Sequence, residues 1–105
     1  MALLHKCIYS PSASTRRLLT RRILVGRAAA EEETLKSASW GAVLLVQGTL
    51  AEMCYAADVG AKTSPVTVME VVGNCPQHIV TMAFIGAVAD VKQVLTALLN
   101  EGVVA

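Results

Sequence analysis

Three cysteines and two histidines are the residues of this chain best suited to metal or thiol chemistry, and their spacing decides what they can do. Cys7, Cys54 and Cys75 stand far apart with no CxxC pair, and the histidines are His5 and His78. A single chain cannot build a four-cysteine zinc or iron–sulfur site from three scattered thiols. The odd count, with no secretory h-region ahead of it, argues against a disulfide framework and for a reducing cytosol. Cys75 differs from the other two because it lies in turn chemistry, within Gly73-Asn74-Cys75-Pro76-Gln77-His78. A proline after a cysteine fixes the backbone and removes a competing donor, a common context for iron–sulfur ligands, and a nearby glycine lets the backbone approach a cluster closely. Two other readings of the same loop stay open: a plain thiol, or a zinc site from Cys75 and His78.

Searches for catalytic constellations fail. There is no GxxxxGK[ST] phosphate loop, no GxSxG elbow and no HExxH. Two histidines leave little material for a Ser-His-Asp triad, and the neighbouring acids Glu31, Glu32 and Glu33 read as a solvated helix face. The expectation is a non-enzyme.

Around these residues the chain is short and apolar. It has 105 residues, 54% of them hydrophobic and only 16% charged, against about 25% charge in an average soluble domain. Disorder and collagen-like repeats are excluded by that composition. One small domain with an apolar excess is expected to bury the surplus against other subunits. A membrane span is not expected, because residues 79–89 give only a short uncharged run and a spanning helix needs about 20 apolar residues. Net charge is +1, yet residues 1–30 hold Lys6, Arg16, Arg17, Arg21, Arg22 and Arg27 with no acid, while all eight acids follow. Such an acid-free start has the composition of an organellar transit peptide, of a nucleic-acid arm, or of an exposed basic hairpin. The nucleic-acid reading is disfavoured, since no aromatics interleave with the arginines.

The elements that position these residues follow from periodicity and punctuation. Residues 3–10 and 15–25 flank Pro11-Ser12-Ala13-Ser14 and read as a hairpin, followed by a short helix over 28–37. Trp40-Gly41-Ala42-Val43-Leu44-Leu45-Val46 reads as a strand buried on both faces. Thr49 and Glu52 form a capping box, opening a helix with Leu50, Met53, Cys54, Ala57 and Ala61 at apolar spacing, and Pro65 prevents its continuation. On that stripe Cys54 reads as a small buried hydrophobe, and Cys7 as another inside its strand. Val66-Thr67-Val68-Met69-Glu70-Val71-Val72 is β-branched and reads as a strand. The 73–78 turn and a return strand over 79–84 complete a second hairpin. A last helix over 87–100 carries Val88, Val91, Val94, Leu95 and Leu98 on one stripe, with Gly102 at its stop. The fold class expected is α+β, helices covering a small, mainly antiparallel sheet.

In order and spacing, Trp40-Gly41-Ala42-Val43-Leu44-Leu45, Ala56-Ala57-Asp58-Val59-Gly60-Ala61-Lys62, the 66–72 strand and Gly86-Ala87-Val88-Ala89-Asp90-Val91 resemble the bacterial microcompartment shell domain. Ile85-Gly86-Ala87 stands where that family has a more polar turn. The chain ends just after its last helix, and the strand and helix that usually follow correspond to residues before 40. This resembles the circularly permuted subclass, with 1–39 as the permuted hairpin and short helix and 40–105 as the core of a single domain. The basic N-terminus then belongs to the fold.

The resemblance implies a cyclic homohexamer, a flat tile packed beside neighbouring shell proteins in the bacterial cytoplasm, with no nucleic-acid or membrane partner. It implies a central pore lined by Gly73, Asn74, Pro76, Gln77 and His78, and an inter-hexamer edge at Lys62. Sixfold symmetry turns one Cys75 into six thiols around one axis. The chain is similar to the divergent permuted shell proteins of glycyl-radical microcompartments, which implies Cys75 as a metal ligand for an iron–sulfur cluster, 4Fe-4S, shared by one hexamer. Four thiolates suffice for such a cluster, so the ring would use some loops and leave others unliganded. The alternative function is a small intracellular ligand-binding or regulatory α/β domain without a metal site.

Overall fold

The apolar run that opens the second half of the chain forms β2 (Ala42–Gly48), and it is buried on both faces. Ala42, Leu44 and Val46 point into one core cluster, and Val43 and Leu45 into another on the opposite side. That alternation follows from the pleat, which sends successive side chains to opposite faces. Four strands make one sheet: β1 (Leu4–Tyr9), β2, β3 (Thr67–Val71) and β4 (Val80–Gly86), in the order β1-β2-β4-β3. Every pairing is antiparallel. The computed structural model describes residues 2, 4–24, 29–73 and 79–105.

Helices cover both faces. On one side α3 (Leu50–Thr63) and α4 (Val88–Asn100) pack Met53, Ala56, Val91, Val94 and Leu98 over Leu44, Val46 and Phe84. On the other, α1 (Ala13–Leu24) and α2 (Ala29–Lys36) contribute Leu19, Ile23 and Leu35 to a cluster with Val43, Met69, Ala83 and Ile85. Each fully buried Val, Leu, Ile, Phe or Met among these stabilises the fold by about 1.5–3 kcal/mol before entropy is counted.

Local signals agree with the elements at several ends. Thr49 accepts from the Glu52 amide at 3.3 Å while the Glu52 carboxylate accepts from the Thr49 amide at 2.9 Å, the reciprocal pair that opens α3. At the end of α4, Gly102 has φ +72°, its amide bonds to the Leu99 carbonyl, and the Val103 amide bonds to the Leu98 carbonyl at 2.9 Å. This is a Schellman closure, and the left-handed residue it needs is the glycine that supplies it without a Cβ penalty. Ala87 opens α4 with no side-chain cap, where the shell-domain resemblance has a more polar turn.

Two expectations are corrected. The second arm of the N-terminal hairpin is a helix: residues after Pro11 form α1, not a strand returning along β1. Leu19 and Ile23 are buried four residues apart, while Arg16, Arg17, Arg21 and Arg22 are exposed on the outward side. Ser12 Oγ accepts from the Thr15 amide at 3.2 Å at the entry, a local bond that competes with strand pairing. β1 pairs with β2 instead, Cys7 opposite Leu44. The second correction concerns Cys54, which is exposed. The buried face of α3 is Met53, Ala56 and Gly60, so the helix is rotated from the stripe that its apolar residues suggest.

Candidate functional site

The 73–78 loop joins the inner ends of β3 and β4, and the sheet holds both of those ends. Val71 pairs with Thr81, and Thr81 lies opposite Gln47, whose Nε2 donates to Thr81 Oγ1 at 3.1 Å. The Val72 amide donates to the Arg22 carbonyl at 3.0 Å, so the last turn of α1 is bonded to the strand end that leads into the loop. Arg21 and Arg22 occupy that turn, where cations complement the negative end of the helix. Gly73 is exposed, and a Cβ there would meet nothing within 4 Å. Asn74, Cys75, Pro76, Gln77 and His78 lie outside the described residues.

The same end of the sheet gathers further chain ends. Gly48 pairs with Val80 beside the loop, α3 begins just after it, and the Ala2 amide donates to the Val103 carbonyl at 2.7 Å.

Lys62 sits at the far end. α3 runs back along β2 for 14 residues, about 21 Å at helical rise, and Lys62 is in its last turn. Its Nζ lies 2.7 Å from Asp58 Oδ2, with both side chains more than half exposed. The pair is an i,i+4 contact that a helix makes readily and leaves the lysine at the surface. Nearby, Ser64 Oγ donates to the Asp90 carbonyl at 2.8 Å and ties the α3 exit to the first turn of α4. Lys62 and the β3 and β4 ends that bound the loop therefore lie at opposite ends of the sheet, in a molecule whose extents are 33 × 32 × 23 Å.

The two remaining cysteines are not brought to the loop as a set. Cys7 is half-buried on β1, facing α4 beside Tyr9, whose phenol pKa is raised by a hydrogen bond to Cys7. Cys54 is on the outer face of α3. Among the described residues, no group of three or more His, Cys, Asp or Glu could hold a metal ion, and no helix is long and apolar enough to cross a membrane. A cluster on this chain would need thiolates from several copies, with Cys75 the one cysteine of the loop. Sequence reasoning did not find the two bonds that anchor the loop ends, Val72 to Arg22 and Gln47 to Thr81. The first is backbone to backbone, and the second depends on a strand register that no local motif encodes.

Compared with models of known families and with curated proteins, the sequence matches none. Solved structures do match. The ligand-free GrpU microcompartment shell protein of Pectobacterium wasabiae is 26% identical, with a TM-score of 0.65 over 89% of this chain and 95% of that chain. The ligand-free GrpU microcompartment shell protein of Clostridiales bacterium 1_7_47FAA is 24% identical, with the same TM-score over 95% of both chains. The likeness spans nearly the whole of each chain: the chain has the fold of the bacterial microcompartment shell domain.

Proposed function

We propose that this chain is a structural shell tile of a bacterial microcompartment in the bacterial cytoplasm, and not an enzyme. In this reading it assembles as a cyclic homohexamer and packs beside neighbouring shell proteins through an edge that includes Lys62. The 73–78 loops meet at the sixfold axis, where Cys75 thiolates from several copies hold one 4Fe-4S cluster for electron transfer or cluster passage across the shell. The cluster supplies one-electron chemistry when bound; the chain supplies thiolates and a loop whose ends are fixed by β3 and β4.

The observation that supports the tile reading is the opposite placement, along α3 and the sheet, of Lys62 and of the β3 and β4 ends that lead into the loop. A flat cyclic tile needs its pore element at the axis and its lattice contact at the rim. The composition adds to this, since a small domain with 54% hydrophobic residues gains by burying surface between subunits. Exposed Leu4, Leu18, Leu50 and Leu99 are surface that such packing would cover. Similarity to microcompartment shell proteins over nearly the whole chain favours this reading over a small regulatory domain.

Sedimentation velocity at micromolar concentration tests the assembly. A particle of about six times the 11.1 kDa chain mass is the result expected. A stable monomer would overturn the tile reading, and a dimer would favour the regulatory domain.

A further inference from the structure

The acid-free start of the chain, once folded, does not form an arm. It forms one wall of a groove. Arg16, Arg17, Thr20 and Arg21 share a side of α1, and Lys36 from the end of α2 and Trp40 from the following segment face them across a depression of about 520 Å³. The depression is wide open to solvent, so a ligand there would lie along the surface and be held chiefly by charge and by the Trp40 face.

Three features make this more than a solvated helix face. No acidic residue lines the groove, and among the described residues Arg16, Arg17 and Arg21 have no ion pair with a carboxylate. Arg17 Nη2 donates to Ser14 Oγ at 3.3 Å, which orients one guanidinium, whereas Lys36 is already paired with Glu32 at 3.4 Å and leaves the arginines as the groove's free cations among the described residues. Trp40 is half-buried and packs against the α1/α2 core cluster, so core packing supports its indole.

We propose that this groove binds a small organic polyanion that joins two or more anionic groups to a flat ring, the chemistry of a nucleoside diphosphate. Guanidinium groups recognise phosphate oxygens through forked, charge-assisted hydrogen bonds. An indole face accepts a stacked ring and contributes apolar contact area. Three guanidinium groups with no carboxylate partner among the described residues, beside one indole, match a ligand whose charge and ring lie a few bonds apart. A nucleic-acid strand would need successive aromatic platforms, and the groove has one.

Trp40 is the single tryptophan of the chain, so its fluorescence reports on the groove directly. Titration of the full chain with ADP, adenosine and inorganic pyrophosphate, repeated by calorimetry, tests the proposal. Saturable quenching by ADP at sub-millimolar concentration is expected, with adenosine and pyrophosphate each weaker by about tenfold or more, because each offers only half of the recognition. Arg17→Ala with Arg21→Ala, both exposed and so harmless to the core, should weaken ADP by about tenfold or more and leave the circular dichroism spectrum unchanged. Trp40→Phe, which keeps a ring, should retain calorimetric binding better than Trp40→Leu. No saturable response to ADP at millimolar concentration, pyrophosphate binding as tightly as ADP, or unchanged ADP affinity in the double arginine variant would each overturn the proposal.

Discussion

Gly60 of α3 lies so close to the ring of Phe84 that a Cβ at Gly60 would stand 2.5 Å from Phe84 Cε1 and 2.8 Å from Cδ1. The ring fills the space that a side chain would otherwise take, and Phe84 is completely buried in the centre of β4. A helix interior ordinarily gains about 1 kcal/mol from glycine to alanine. Here the ring cannot withdraw, because Leu44 and Val94 belong to the same packed cluster. Gly60→Ala should therefore destabilise the fold by about 1–3 kcal/mol net, the range of overpacked cores. Thermal unfolding checks this, and a melting temperature equal to or above that of the parent chain would contradict the packing described.

Thr49→Ala removes one half of the reciprocal cap at the start of α3. The lost acceptor for the Glu52 amide should cost about 1 kcal/mol, seen as a lower denaturant midpoint with an unchanged slope. Thr49→Ser should restore most of it, since serine offers the same oxygen.

Both tyrosines should titrate above the ordinary phenol value of 10. Tyr55 Oη donates to Glu101 Oε1 at 2.8 Å, and that bond, with the carboxylate's charge, raises its pKa; for Tyr9 the cause is Cys7. A raised folded-state pKa means that the native chain keeps the proton longer than the unfolded one. The stabilisation is therefore fully present below pH 10 and is lost as pH rises through the folded value. Ultraviolet titration of Glu101→Ala should show one tyrosine moving back toward 10 and the other unmoved.

Lys62→Ala should leave the proposed hexamer intact and weaken lateral assembly. Its exposed pair with Asp58 contributes little to folding, so the melting temperature should hardly change. Electron microscopy of concentrated protein reads the outcome, and extended sheets formed as readily as by the parent chain would remove Lys62 from the edge.

Much of this arrangement is legible in the sequence because the relevant signals are local. The run through Val43 and Leu44, the Thr49–Glu52 cap, the break at Pro65 and the glycine at 102 each act within a few residues, and β2, α3, β3, β4 and α4 follow from them. α1 was harder to read. Paired arginines next to paired leucines blur period 2 against period 3.6, and the deciding fact, that Leu19 and Ile23 meet Met69 and Ala83 across the core, is tertiary. Cys54 was misplaced for a related reason. A hydrophobic stripe counts side chains, whereas the buried face of α3 passes through Gly60, which has none. The loop's position at one end of the sheet is set by strand order, and the bonds that anchor it come from segments more than thirty residues away in sequence.

Cys75 carries the central claim, and iron binding by cysteine variants tests it most directly. The chain is reconstituted anaerobically with iron and sulfide, and visible absorption and iron per hexamer are measured for the parent, Cys75→Ser, Cys54→Ser and Cys7→Ser. Ligand thiolates must be deprotonated, and metal binding supplies that drive, so a serine at the ligand position should abolish the site. The account predicts that Cys75→Ser loses colour and iron while remaining hexameric. Exposed Cys54 and half-buried Cys7 should be replaceable without loss, and the parent should hold less than one cluster's iron per chain. Iron and colour retained in Cys75→Ser, or zinc bound in place of iron, would contradict it.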